Sequence, residues 1–157
     1  MGYLRRNLAQ NDLEHRVTVH AVALAGSVGT ALLDDNDGGS VHNGLVADAR
    51  RLVAGEEGRA RRRTVPVAIT TFDLAVQTAP GPPDVVKLDC EGGEYLLVYA
   101  SSPASWATVS RVVMEYHPVA GHSWPELSAW FARAGLTVVR HQPIAAGLGT
   151  AWLAREP

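Results

Sequence analysis

The stretch DVVKLDCEGGEYLLVYA, residues 84–100, decides how the chain is read. An apolar run, Val85 to Leu88, leads into Asp89, Cys90, Glu91, two glycines and Glu94, and a second apolar run follows. The first run has the length and β-branched character of a buried strand, and the second suits a helix. Lys87, Asp89, Glu91 and Glu94 crowd four ionisable groups into eight positions. Charges at the end of a buried strand are costly unless they meet partners, water or a chemical task.

Working outward from residue 84, strand and helix patterns alternate. VVKLD reads as a strand, GEYLLVYA as a helix, SRVVMEY as a strand, WPELSAWFARA as a helix stopped by Gly135, and LTVVRHQ and GTAWLAR as strands. Such alternation implies an α/β fold with a parallel sheet covered on both faces. The last two strands read as an antiparallel hairpin at the edge of that sheet. Ligands of open α/β sheets gather beyond the carboxyl ends of the strands. Asp89, Glu91 and Glu94 are therefore expected at a solvent-facing rim, and MEYHP delivers Glu115 and His117 to the same edge. Carboxylates and an imidazole gathered there can host a general base or a divalent metal. Taken singly, Glu94 reads as a helix-surface cap and His117 as a residue before the turn at Pro118.

Upstream, Tyr3 to Gln10 reads as a short helix, VTVHAVAL as a strand, GTALL as a weaker strand and VPVAIT as another. Thr70 or Thr71 is placed to cap a helix through Leu74 to Gln77, with Asp73 in its first turn. DDNDGGSVHNG is turn chemistry. Counted from Asp34 or Asp35, position twelve is Leu45 or Val46, where a calcium loop needs Glu. GEEGRARRR, residues 55–63, reads as a solvated linker. Trp124 and Trp130 are expected to pack, His20 to sit in a strand and Cys90 to be a small buried residue.

The chain has 157 residues, a net charge of -2, one cysteine and one lysine, Lys87. This suits one globular domain over residues 1–157, with no electrostatic case for nucleic acid or membrane. A single cysteine excludes an intrachain disulfide, and the N-terminus has no signal-peptide core, so the cytoplasm is the expected location.

KLDCEGGE resembles the K-(I/L)-D-x-E-G-x-E signature of FkbM-type methyltransferases, enzymes that use S-adenosylmethionine. YLRRNLAQNDLEHRVTVHAVALAGSVGTALL, VPVAITTFDLAV and RVVMEYHP are similar to the flanking segments of that family. The resemblance implies a Rossmann-like class I sheet, mostly parallel, with an antiparallel C-terminal edge strand. It implies O-methylation of a sugar or natural-product hydroxyl. It puts His117, Glu115 and Glu91 in catalysis, His117 as general base with Glu115 orienting it or Asp89 as the alternative base. It puts Asp89 and Ala23 beside the cofactor, and gives Lys87 a charge-offsetting role. It assigns no metal.

The chain departs from the family at its start, where the strand and glycine-rich loop of the D-x-G-A-N-x-G kind and the next strand are absent. Gly26 and Gly29 run into another strand pattern rather than a helix, a poor cofactor cradle. The expected sheet thus misses its first two strands, between VTVHAVAL and VVKLD. A start placed too far downstream, a truncated gene or a half supplied by another chain each fit. The alternative function is a non-catalytic remnant or interaction module without cofactor binding. A weaker one is a metal-dependent hydrolase on Asp89, Glu91, Glu115 and His117, which lack tight ligand spacing.

Overall fold

In a computed structural model, residues 2–35 and 63–156 are described. The turn-rich segment after Asp35 and most of the charged linker lie outside the described residues. The elements are α1 (Gly2–Gln10), β1 (Val22–Leu24), β2 (Gly29–Asp35), β3 (Arg63–Thr70), α2 (Phe72–Thr78), β4 (Val85–Leu88), α3 (Glu94–Tyr99), a 3-10 turn (Pro103–Trp106), β5 (Arg111–Tyr116), α4 (Trp124–Arg133), β6 (Thr137–Ala145) and β7 (Leu148–Ala154).

The strands form two sheets, ordered β1-β3-β2 and β4-β5-β7-β6. The mixed α/β class is as expected; among the described residues the strands form two small sheets with both parallel and antiparallel pairs rather than one mostly parallel sheet. Parallel pairs are β1/β3 and β4/β5, whereas β2/β3, β5/β7 and β6/β7 are antiparallel. The C-terminal strand is not at the edge either. β7 lies between β5 and β6, and β6 takes the edge. The reason is in the side chains. Gly149, Ala151 and Leu153 alternate on the buried face of β7, opposite Tyr116, Met114 and Val112 of β5. A side chain at Gly149 would run into the Tyr116 ring, so only glycine lets that ring lie across β7.

α3 supplies the crossover that a parallel β4/β5 pair requires, and α4 connects β5 to β6. Leu127, Trp130 and Phe131, at i, i+3 and i+4, turn one face of α4 into the core. Trp106 sits at its centre with no exposed surface. Phe72 stacks on it at 4.2 Å, Phe131 and Trp130 meet it edge-on, and its indole N–H donates to Ser101 Oγ at 2.8 Å. Gly135, at φ 79, ends α4 where a Cβ would meet the Arg155 guanidinium. That guanidinium donates to the carbonyls of Val109, Trp106 and Ala134.

The smaller sheet is thinly buried. VTVHAVAL was expected to be a strand throughout, but only Val22–Leu24 pairs, and Val17 and His20 are exposed. β-branched residues favour a strand only where a neighbour accepts their hydrogen bonds, and among the described residues β1 has β3 alone. Leu24 reaches the main core. α2 ties the sheets together, capped as expected by Thr71, whose Oγ1 accepts from the Leu74 N–H. Asp73 accepts the Ser102 N–H at 3.0 and 3.1 Å, and Phe72 reaches Trp106.

Candidate functional site

β4 and β5 run parallel with Leu88 abreast of Met114. One residue further on, Asp89 and Glu115 leave the same end of the sheet, and Glu91 and His117 follow. Among the described residues, one ligand-type atom each of Asp89, Glu91 and His117 lie within 4.8 Å of one another. Glu115 Oε1 is 3.8 Å from His117 Nε2. The four residues expected at one rim are gathered there.

Glu94 departs from expectation most. Instead of capping a solvated helix surface, its side chain has no exposure at all. Glu91 at φ 51 and Gly92 at φ 98 are two successive left-handed residues that fold the chain back over the start of α3. In that turn the Cys90 N–H donates to Glu94 Oε1 at 2.7 Å and the Gly92 N–H to Oε2 at 2.9 Å. The left-handed backbone at Glu91, a non-glycine residue, costs about 1–3 kcal/mol and marks a turn held by its surroundings. The buried carboxylate also meets His117 Nδ1 at 3.1 Å.

A carboxylate whose oxygens already accept backbone N–H groups offers an acceptor to the imidazole, so Nδ1 is the protonated nitrogen. Nε2 then faces the other carboxylates, 3.4 Å from Glu91 Oε2 and 3.8 Å from Glu115 Oε1. The Glu94 hydrogen bond raises the His117 pKa above its ordinary value, and the charges of Glu94, Glu91 and Glu115 add to this against the opposing effect of burial. The orienting residue is thus Glu94. Glu115, expected in that role, stands on the Nε2 side.

Lys87 pairs with Asp89 at 2.8 Å, both side chains well exposed, and the Asp89 hydrogen bond raises the lysine pKa. Cys90 is exposed rather than buried. Its thiol pKa is nevertheless raised, first by loss of solvation and then by the Glu94 and Asp89 charges, against a backbone hydrogen bond and Lys87. No thiolate is favoured there. Tyr95 is buried and its phenol is pushed up to about 12, which removes it as a proton acceptor. Ala23 lies in β1, in the other sheet from Asp89. Trp124 packs as expected, its ring stacked on those of Tyr116 at 4.8 Å and His141 at 4.6 Å.

The site joins an imidazole of fixed tautomer to four carboxylates at the carboxyl ends of β4 and β5, an arrangement able to accept a proton or ligate a cation. No helix among the described residues is long and apolar enough to cross a membrane. Comparison of the chain with family models, with curated proteins and with solved structures returns no match.

Proposed function

We propose that the chain carries the hydroxyl-acceptor side of an S-adenosylmethionine-dependent O-methylation of a sugar or natural-product hydroxyl, of the FkbM type that KLDCEGGE and MEYHP resemble. The observation that carries this reading is His117, held at Nδ1 by buried Glu94 with Nε2 turned toward Glu91 and Glu115. When bound, the cofactor supplies an electrophilic methyl group. Nε2 of His117 takes the proton of the acceptor hydroxyl, and Glu94 keeps the ring in place while it does so. Glu91 and Glu115 stabilise the imidazolium that results, and Asp89 borders the cofactor side with Ala23.

The finer fold reading, a Rossmann-like sheet with two further strands between β1 and β4, is supported by the pairing pattern. Among the described residues β1 and β4 each have one strand neighbour. The described residues do not fit the adenosyl half of the cofactor. Their one strand-to-helix turn with paired glycines is Gly92-Gly93, which the Glu94 carboxylate occupies, and it leads into a helix of 6 residues. Binding of S-adenosylmethionine by this chain alone is expected to be weak or undetectable by calorimetry, and micromolar affinity would contradict that.

The test is transfer of a labelled methyl group at high cofactor concentration to a panel of hydroxyl compounds. In a longer form that supplies the glycine-rich cofactor loop, His117→Ala is expected to lower turnover by roughly 10²–10⁴-fold, far more than it lowers cofactor binding. Full turnover in His117→Ala would make His117 a loop residue. The second reading, an interaction module, is favoured by the same unpaired edges of β1 and β4. Absence of transfer to every acceptor, together with capture of an extended peptide along β4, would select it.

A further inference from the structure

We infer that Asp89, Glu91 and His117 form a binding site for a divalent first-row cation, of which Mn2+ is the representative, at the carboxyl ends of β4 and β5. The inference rests on the geometry of the site and stands apart from the methyl-transfer reading. In sequence the three residues lack ligand spacing, because two lie beyond one strand and one beyond the next. The parallel pairing of β4 and β5 supplies what the spacing does not, and brings one donor atom of each within 4.8 Å of the others.

Adjacent ligands about 2.1 Å from a metal lie roughly 3.0–3.4 Å apart, so the donors have to close by up to about 1–2 Å, which side-chain rotation of the two carboxylates can supply. The set is more than a group of acidic side chains, for its third donor is an imidazole with a defined lone pair. Glu94 accepts from Nδ1 and leaves Nε2 aimed at Glu91, the carboxylate–histidine relation that orients metal-bound histidines. Glu94 is itself fixed by the Cys90 and Gly92 N–H groups, so the ring does not have to be ordered when a cation arrives.

One nitrogen beside two carboxylate oxygens suits a first-row transition cation, with Mn2+ at the hard, carboxylate-accepting end of that row, better than Mg2+ or Ca2+, which prefer oxygen throughout. The Lys87–Asp89 pair is exposed, and exposed pairs of this kind are weak enough to yield Asp89 to a metal. Three protein ligands leave coordination positions for water or a hydroxyl compound. With the cation in place Nε2 is a ligand, and a coordinated hydroxyl loses its proton because the metal lowers its pKa. Glu115, 3.8 Å from Nε2, is the adjoining carboxylate to receive it. His117 then serves as base in the cation-free protein only.

The experiment titrates the full chain with Mn2+ in the absence of any substrate, following free Mn2+ by electron paramagnetic resonance and the bound ion by its coupling to nitrogen. One saturable site per chain is expected, with a nitrogen coupling that His117→Ala abolishes. Asp89→Asn, at an exposed position, is expected to weaken binding at least tenfold without changing the fold. Glu94→Gln is expected to weaken it roughly 10–100-fold although Glu94 touches no metal. His20→Ala, in the exposed segment ahead of β1, should leave it unchanged. The inference is overturned by the absence of a saturable site below millimolar Mn2+, by a bound ion without nitrogen coupling, or by equal affinity in wild type and Asp89→Asn. Because no methyl donor is present, failure to bind Mn2+ leaves the methyl-transfer reading untouched and loss of methyl transfer leaves the metal site untouched, whereas a bound cation, by taking Nε2, restricts His117 as base to the cation-free protein.

Discussion

The β4-β5-β7-β6 sheet and the β1-β3-β2 sheet are built from similarly apolar sequence, yet they fold to different depths. The first is covered by α3 and α4 and contains Leu97, Met114, Leu127, Phe131 and Leu153, each at most 1% exposed. In the second, Val22 and Leu32 are 44% and 47% exposed, and its contribution to the main core comes through Leu24. Hydrogen-bonded ladders exist in both. Among the described residues, what separates them is a helical layer, because a sheet gains stability from apolar area taken out of water more than from its ladder. The candidate site draws Asp89, Glu91, Glu94, Glu115 and His117 from the deep sheet. Its geometry is therefore held by the stable half of the molecule.

The sharpest way to break this contrast is to cut each half. Trp106→Ala removes the ring that Phe72, Trp130 and Phe131 surround, and is expected to cost about 3–5 kcal/mol, seen as a large fall in the denaturant midpoint. A loss below about 1 kcal/mol would mean that the core does not depend on Trp106.

Next in size is Glu94→Gln. Its amide nitrogen must face a backbone N–H or the imidazole, so one buried donor loses its acceptor, at about 1–3 kcal/mol. An unchanged midpoint would contradict the buried carboxylate.

A smaller effect is expected from pH in the presence of a chelator. The folded chain holds the His117 proton more tightly than the unfolded chain, whose imidazole has the ordinary value of 6.5. The stabilisation from His117 is thus complete below that value and is lost as pH rises through the higher folded pKa. The stability advantage of wild type over His117→Gln should shrink across that window, and an advantage that grows with pH would reverse the sign.

Least of all is expected from Leu32→Ala in the shallow sheet, within about 0.5 kcal/mol. Amide exchange sharpens the same point, with β1 and β2 exchanging well before β5 and β7. Equal protection in both sheets would remove the distinction.

The gathering of Asp89, Glu91, Glu115 and His117 was legible because two successive strands joined by a crossover helix put their ends side by side. The role of Glu94 was not. It depends on left-handed backbone at Glu91, a residue type that rarely adopts it, and the one signal was a glutamate directly after Gly92-Gly93. The β6/β7 hairpin was legible from its short turn, but its orientation toward β5 was not. That choice is made by the small residues Gly149 and Ala151, which admit Tyr116 and Met114, while every residue of β6 stays exposed. VTVHAVAL forms a strand only over Val22–Leu24, because β-branched residues pair only where a partner is present. Cys90 differs from the buried residue expected because it is exposed in the turn that buries Glu94, to which its own N–H donates.

The most direct test of the site is the tautomer of His117, read by long-range nitrogen–proton correlation in chelated protein above its titration midpoint. Free neutral imidazole favours the proton on Nε2. The buried Glu94 carboxylate predicts it on Nδ1, together with a midpoint above 6.5 that falls toward that value in Glu94→Gln. A proton on Nε2, or a midpoint at or below 6.5 that ignores Glu94→Gln, would contradict the orientation on which both the proton acceptor and the cation ligand depend.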